Sequence, residues 1–351
     1  MSLPAPTEPD LAALLNTVER LSRARVTALE PLAGGRNSRV FRASLEGGRS
    51  VAVKVCFRHP SDPRDRIGVE FDALRLMWKH DFRDVPQPLA ANRSAGVALY
   101  DFIPGGKPGQ IRAADIDALV DFLARLRDLA GQPDCRKLGP ASEACFSVAA
   151  MVDVLRARRA RLTAPEGGVK TLAALHKFLH DEFDPALELL VKWSRAKLPR
   201  GGFNRELSHA DRTLSPSDFG FHNAVRQREG GIVWLDFEYF GWDDPAKMIV
   251  DFLLHPAKPA TAALKRRFAA GILSRFADQP GLRRRVEAVF PLFGLKWCLI
   301  LLNEFLPSDL QRRQFARAAN DRDLAQRRQL TKSRAMLRRI QQQYDRNPFL
   351  A

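Results

Sequence analysis

The spacing of apolar residues changes character several times between residues 1 and 103. Over 10–21 they recur at helical intervals, and Asp10 stands where an N-cap would, so a helix is predicted there. Three strand-like runs follow, over 26–32, 38–45 and 50–57, with Gly34-Gly35 and Gly47-Gly48 between them. The third reads Val51-Ala52-Val53-Lys54-Val55-Cys56-Phe57, a buried-strand pattern interrupted by one lysine. A helix is predicted over 63–79, and two more strands over 88–92 and 97–103. Pro104-Gly105-Gly106-Lys107-Pro108-Gly109 then breaks the periodicity and reads as a connector.

Beyond it, helical spacing dominates, over 113–130, 147–162, 172–193 and in several segments between 256 and 344. One insert departs from this pattern. Residues 208–238 hold two loops and short apolar runs, including a strand over 231–237. The expected fold class is α+β. An N-terminal sheet lobe with one helix (1–103) precedes a larger, mainly helical lobe (104–351) that carries the loops of 208–245. No repeat or low-complexity tract interrupts the order.

Composition changes this picture little. A chain of 351 residues with 45% hydrophobic and 27% charged positions is long enough for two cores. The four cysteines, Cys56, Cys135, Cys145 and Cys298, form no C-x-x-C pair and argue for reduced structural thiols. The longest apolar run, 289–306, is broken by Lys296, Asn303 and Glu304, short of the roughly 20 residues a membrane span needs. The N-terminus lacks a basic start followed by an apolar run. The expected location is the cytoplasm, with no membrane partner.

Charge is more informative. The net charge is +16, and from Phe252 onward 20 Lys/Arg stand against 7 Asp/Glu. Such a face is either solvated or meets an anionic substrate or partner. No zinc-finger spacing or RNP-type aromatic motif accompanies it, which argues against nucleic acid.

The insert carries the candidate chemistry. Asp218 and Asn223 stand five residues apart in one loop, and the following strand delivers Asp236. Asp218 can accept the proton of an attacking hydroxyl. Asn223 and Asp236 offer the hard oxygens that Mg²⁺ prefers. A loop aspartate, an asparagine five positions on and a second aspartate are the parts used in kinase phosphoryl transfer. The N-terminal part supplies complements. Lys54 is costly to bury unless paired, and Glu70 on the next helix is its candidate partner. Gly34, Gly35 and Asn37 lie in a turn where small residues would let backbone N–H groups approach phosphate. A Walker A motif is absent.

With these residues in place, the sequence resembles the aminoglycoside phosphotransferase and choline kinase group, relatives of the protein kinases. The resemblance runs from about residue 26 to 254. It is strongest at Leu235-Asp236-Phe237-Glu238-Tyr239-Phe240-Gly241-Trp242-Asp243-Asp244-Pro245 and at Ser217-Asp218 through Asn223. It implies a bilobal protein-kinase-like fold, ATP as phosphate donor with GTP left open, and Mg²⁺. It also implies that Asp218 is the base, that Asn223 and Asp236 are metal ligands, and that Lys54 contacts the α/β-phosphates. The backbone of Asp101 and Ile103 would meet the nucleotide base, and Asp244 would be structural. One position departs: the group usually carries a histidine two residues before the catalytic aspartate, and here it is Pro216.

The expected acceptor is a hydroxylated small molecule such as a sugar or amino sugar. Two alternatives stand beside it: an aminoglycoside-modifying kinase, and a nucleotide-binding pseudokinase with a basic partner-binding surface. The basic region after Phe252 weighs against a polycationic acceptor. Trp297, Phe290, Phe293 and Phe305 could box a single cation, although their helical spacing reads as core. Nothing in the sequence fixes the oligomeric state.

Overall fold

The computed structural model describes residues 11–32, 38–56, 64–257, 260–306 and 322–350. Asp10 and the turn residues Gly34, Gly35 and Asn37 lie outside the described residues. Two compact units are resolved by packing. The first comprises the described parts of Met1–Gly109 with Asp218–Phe240; the second comprises those of Gln110–Ser217, Gly241–Pro307 and Asn320–Ala351. Asp218–Phe240, which the sequence places with the helices, packs with the sheet.

In the first unit, helix α1 (Leu11–Ser22) precedes strands β1 (Val26–Pro31), β2 (Ser38–Leu45) and β3 (Ser50–Cys56). Helix α2 (Arg66–Lys79) and strands β4 (Pro88–Asn92) and β5 (Val97–Asp101) complete it. The sheet is antiparallel in the order β1-β2-β3-β5-β4, so β3 is its central strand. Alternation along β3 sends Val51, Val53 and Val55 into a core with Leu14 and Val18 of α1, Phe41 and Leu45 of β2, and Leu99 of β5. Lys54 therefore faces the opposite side. Strand β5 stops at Asp101 rather than 103, just short of Pro104, which has no N–H to donate.

In the second unit, helices α3 (Ala113–Ala130), α4 (Val148–Arg161), α5 (Val169–Lys177) and α6 (Asp184–Lys197) lead to strand β6 (Thr213–Ser215). The single helix expected over 172–193 is a longer run, 169–197, with a π-helical turn at Phe178–Phe183 joining α5 to α6. Two short strands in the first unit, β7 (Ala224–Arg226) and β8 (Ile232–Trp234), form an antiparallel pair. Strand β9 (Gly241–Asp243) returns to the second unit and pairs with β6, Thr213 opposite Asp243. Helices α7 (Pro245–Leu254), α8 (Ala262–Arg275), α9 (Leu282–Leu301) and α10 (Arg322–Gln343) follow.

Helix α9 is the hub of this unit and packs against α4, α6, α7 and α10. Gly294 makes the last of these contacts possible, because a Cβ there would collide with the Ile340 side chain. By length and apolar content Leu282–Phe305 could cross a membrane (mean hydropathy 1.6 over an 18-residue window), yet 72% of that window is buried in the protein. Its helical continuity joins what Lys296 breaks in the sequence; Lys296 is buried and reaches Glu143 at 3.5 Å. Phe290, Phe293 and Phe305 are buried core residues and form no open cation box. All four cysteines are free and buried.

Candidate active site

Lys54 sits mid-strand between Val40 of β2 and Ala98 of β5, so it has no sheet edge from which to reach water. It is 7% exposed. Its Nζ lies 2.8 Å from Glu70 Oε2 and 2.8 Å from Asp236 Oδ1, with Glu238 Oε2 at 3.9 Å. Burial pulls the ammonium pKa down, but Asp236, Glu70 and Glu238 outweigh it and hold it well above its ordinary value. Burial pushes the Glu70 carboxyl up, with Lys54 opposing.

Glu70 is delivered by α2, whose start is fixed by Asp65 accepting the Gly68 N–H at 2.9 Å. Its other oxygen accepts the Phe237 backbone N–H at 3.2 Å. Arg66 Nε approaches Glu238 Oε1 at 3.8 Å, and both side chains are almost fully buried. Two cations and three carboxylates thus share one buried cluster.

Asp236 lies two residues beyond β8 rather than at the end of the 231–237 strand expected. Its φ of 67° is in the left-handed region, which ends the extended run and turns the carboxylate out of the strand. Strand β8 is held by the Trp234 N–H on Asp84 O at 2.8 Å. Asp236 keeps 34% of its side chain exposed, against 3–5% for Glu238 and Glu70, so it is the carboxylate of the cluster that a cation from solvent can reach.

Asp218 and Asn223 share one tight loop. The Asn223 Nδ2 donates to Asp218 O at 3.0 Å, which leaves its Oδ1 as the acceptor available to a cation. The Leu235 N–H donates to Asn223 O at 2.9 Å and ties this loop to the residue before Asp236. His222 Nε2 meets Asp218 Oδ1 at 3.0 Å, so the histidine supports the loop. Asp218 remains 44% exposed. Asn223 Oδ1 and the part-exposed Asp236 carboxylate are hard oxygens of the kind Mg²⁺ takes, and three carboxylates against two cations around Lys54 fit a divalent cation there.

At the end of β5, Asp101 donates its N–H to Gln87 O at 2.9 Å, and its side chain meets Arg49 at 3.5 Å. Ile103 follows in irregular backbone. Gly106 then bridges to Arg226 of β7, with main-chain hydrogen bonds of 3.1 and 2.8 Å. That link between the connector and β7 had no signal in the sequence. Asp244 is structural: it caps α7 through Ala246 N–H at 2.8 Å and pairs with Arg285 Nε at 2.6 Å.

The model of the phosphotransferase enzyme family matches residues 28–288. Among solved structures, spectinomycin phosphotransferase in complex with ADP and spectinomycin is similar at a TM-score of 0.58 and 11% identity, covering 95% of this chain and 99% of that one. Choline kinase from Cryptosporidium parvum Iowa II has a TM-score of 0.59 at 11% identity, over 95% and 97% of the two chains. Macrolide 2′-phosphotransferase from Brachybacterium faecium has 0.52 at 19% identity, over 89% and 98%. At these identities the likeness to solved structures is one of fold. No curated protein matches the chain by sequence.

Proposed function

Because the chain belongs to the phosphotransferase enzyme family, with a kinase-like α+β fold and an alcohol group as acceptor, we propose that it moves the γ-phosphate of ATP to a hydroxyl of a small, uncharged or anionic metabolite such as a sugar. The observation that carries this reading is Lys54 Nζ at 2.8 Å from both Glu70 and Asp236. A lysine buried in a central strand and shared by two carboxylates is positioned to hold phosphate oxygens.

Asn223 and Asp236 would hold Mg²⁺, which when bound neutralises charge on the phosphates. Asp218 takes the proton of the acceptor hydroxyl as its oxygen bonds to Pγ and the bond from Pγ to the ADP oxygen breaks. His222 orients the carboxylate for that transfer. Lys54 binds the α/β-phosphates, and the main chain at Asp101 and Ile103 meets the base. The glycines Gly34 and Gly35, with Asn37, belong to the same phosphate-binding role on sequence grounds.

Charge favours this acceptor class over a polycation, since the sequence from Phe252 onward carries 20 Lys/Arg and only 7 Asp/Glu. The test is ADP release from ATP and Mg²⁺ with a panel of sugars, amino sugars, amino alcohols and nucleosides. Turnover with a neutral or acidic hydroxylated acceptor is expected. Stabilisation by ATP without turnover on any acceptor would replace this reading with that of a nucleotide-binding pseudokinase.

A further inference from the structure

The geometry points to Lys247 as a positioning residue: through Ser217 it holds the backbone that enters Asp218. This rests on the proposed role of Asp218. Lys247 lies on α7 with no solvent exposure. Its Nζ is 2.5 Å from Asp243 Oδ2, 3.5 Å from Asp251 Oδ2 and 3.5 Å from Ser217 Oγ. The two carboxylates offset the cost of burying the ammonium. The third contact points at the residue bonded to Asp218.

Ser217 needs support. Its φ is 66°, a left-handed conformation that costs energy for any residue with a Cβ. Three anchors hold it there. Its N–H donates to Ser215 Oγ at 3.0 Å, its hydroxyl donates to Ser142 O at 3.2 Å, and that same oxygen faces Lys247. The anchors close on themselves. Asp243, the nearest partner of Lys247, sits on β9, and β9 pairs with β6, the strand that ends at Ser215 and leads to Ser217. Strand pair, lysine and serine therefore form one ring around the last backbone torsions before Asp218. Pro216 has neither an N–H nor a polar side chain to give to this ring. The support comes instead from an ammonium thirty positions along the chain.

Glycine adopts positive φ without support, so a double-mutant cycle separates this role from a merely structural one. ADP release, with water or the best acceptor, is measured for Lys247→Met in the wild-type and Ser217→Gly backgrounds. In the wild-type background a loss of about tenfold in kcat is expected, with the KM for ATP held within about twofold. In the Ser217→Gly background the same change should cost less than about threefold. Equal losses in the two backgrounds would overturn the proposal.

If Lys247→Met does not fold, Lys247→Met with Asp243→Asn removes the ammonium together with its nearest carboxylate and takes its place in the cycle. A crystal structure of the variant reads the same question without turnover. Ser217 leaving positive φ supports the proposal, and Ser217 unchanged overturns it. Asp218→Asn, run in parallel, keeps the two readings apart. Unaltered ADP release there would sink the role of Asp218, whereas equal cycle losses with Asp218→Asn inactive would sink only that of Lys247.

Discussion

The carboxylate of Glu70 accepts the backbone N–H of Phe237 at 3.2 Å, across 167 residues of sequence. Its second oxygen is 2.8 Å from Lys54 Nζ. One side chain on α2 thus fixes both the lysine of the central strand and the main chain beside Asp236. The ion pair and the aspartate loop are parts of one buried structure.

Glu70→Gln keeps an acceptor for Phe237 and removes the charge from Lys54. Nucleotide affinity should fall by about tenfold while the fold persists, because Lys54 retains Asp236 as a partner. Glu70→Ala removes both contacts. It should cost about 3–5 kcal/mol of stability, the usual penalty for breaking a buried ion pair from one side. Nucleotide titration and chemical unfolding of the two variants check this split.

Asp236→Asn tests the metal assignment. Lys54 keeps Glu70 at 2.8 Å, so the sheet should stay intact. In the wild type, ATP should raise Tm more with Mg²⁺ than with EDTA. In the variant, the two shifts should be equal. A Mg²⁺-dependent shift of wild-type size in Asp236→Asn would reassign the ligand.

Lys265 offers a pH signature in the second unit. It is 5% exposed, donates to Leu253 O at 2.5 Å, and burial lowers its pKa to about 8. Between pH 8 and the ordinary lysine value of 10.5 the unfolded chain holds this proton and the folded chain does not. Stability from this group therefore rises with pH across that window and is lowest below it. Lys265→Met should stabilise the protein at pH 7, and its advantage should shrink by about 2 kcal/mol by pH 10. Urea unfolding at the two pH values measures it; a constant difference would contradict the lowered pKa.

Much of the site was legible because its parts are local patterns. Strand β2 and helix α3 fall at the residues their apolar spacing predicts. Lys54 stood out as the lone charge in an apolar strand, and Glu70 was one helix away. What the sequence hid depends on single torsions or distant pairings. The 231–237 strand stops at Trp234 because Asp236 turns to a φ of 67°, and aspartate tolerates that angle without announcing it. The π-turn at Phe178–Phe183 preserves the apolar face and so leaves no break in periodicity. Lys247 carries no signal of its own in the sequence. Only the pairing of β6 with β9 brings Asp243 and Ser217 to it. Departure from the family pattern at Pro216 was visible, but not what stands in its place.

Asp218→Asn is the most direct measurement of the central claim. ADP release should be followed for wild type and variant with ATP, Mg²⁺ and the best acceptor, with nucleotide affinity measured alongside. A fall in turnover of at least about a hundredfold, with ATP bound as in the wild type, is the expected result. Turnover at the wild-type rate would contradict the assignment of Asp218 as the base.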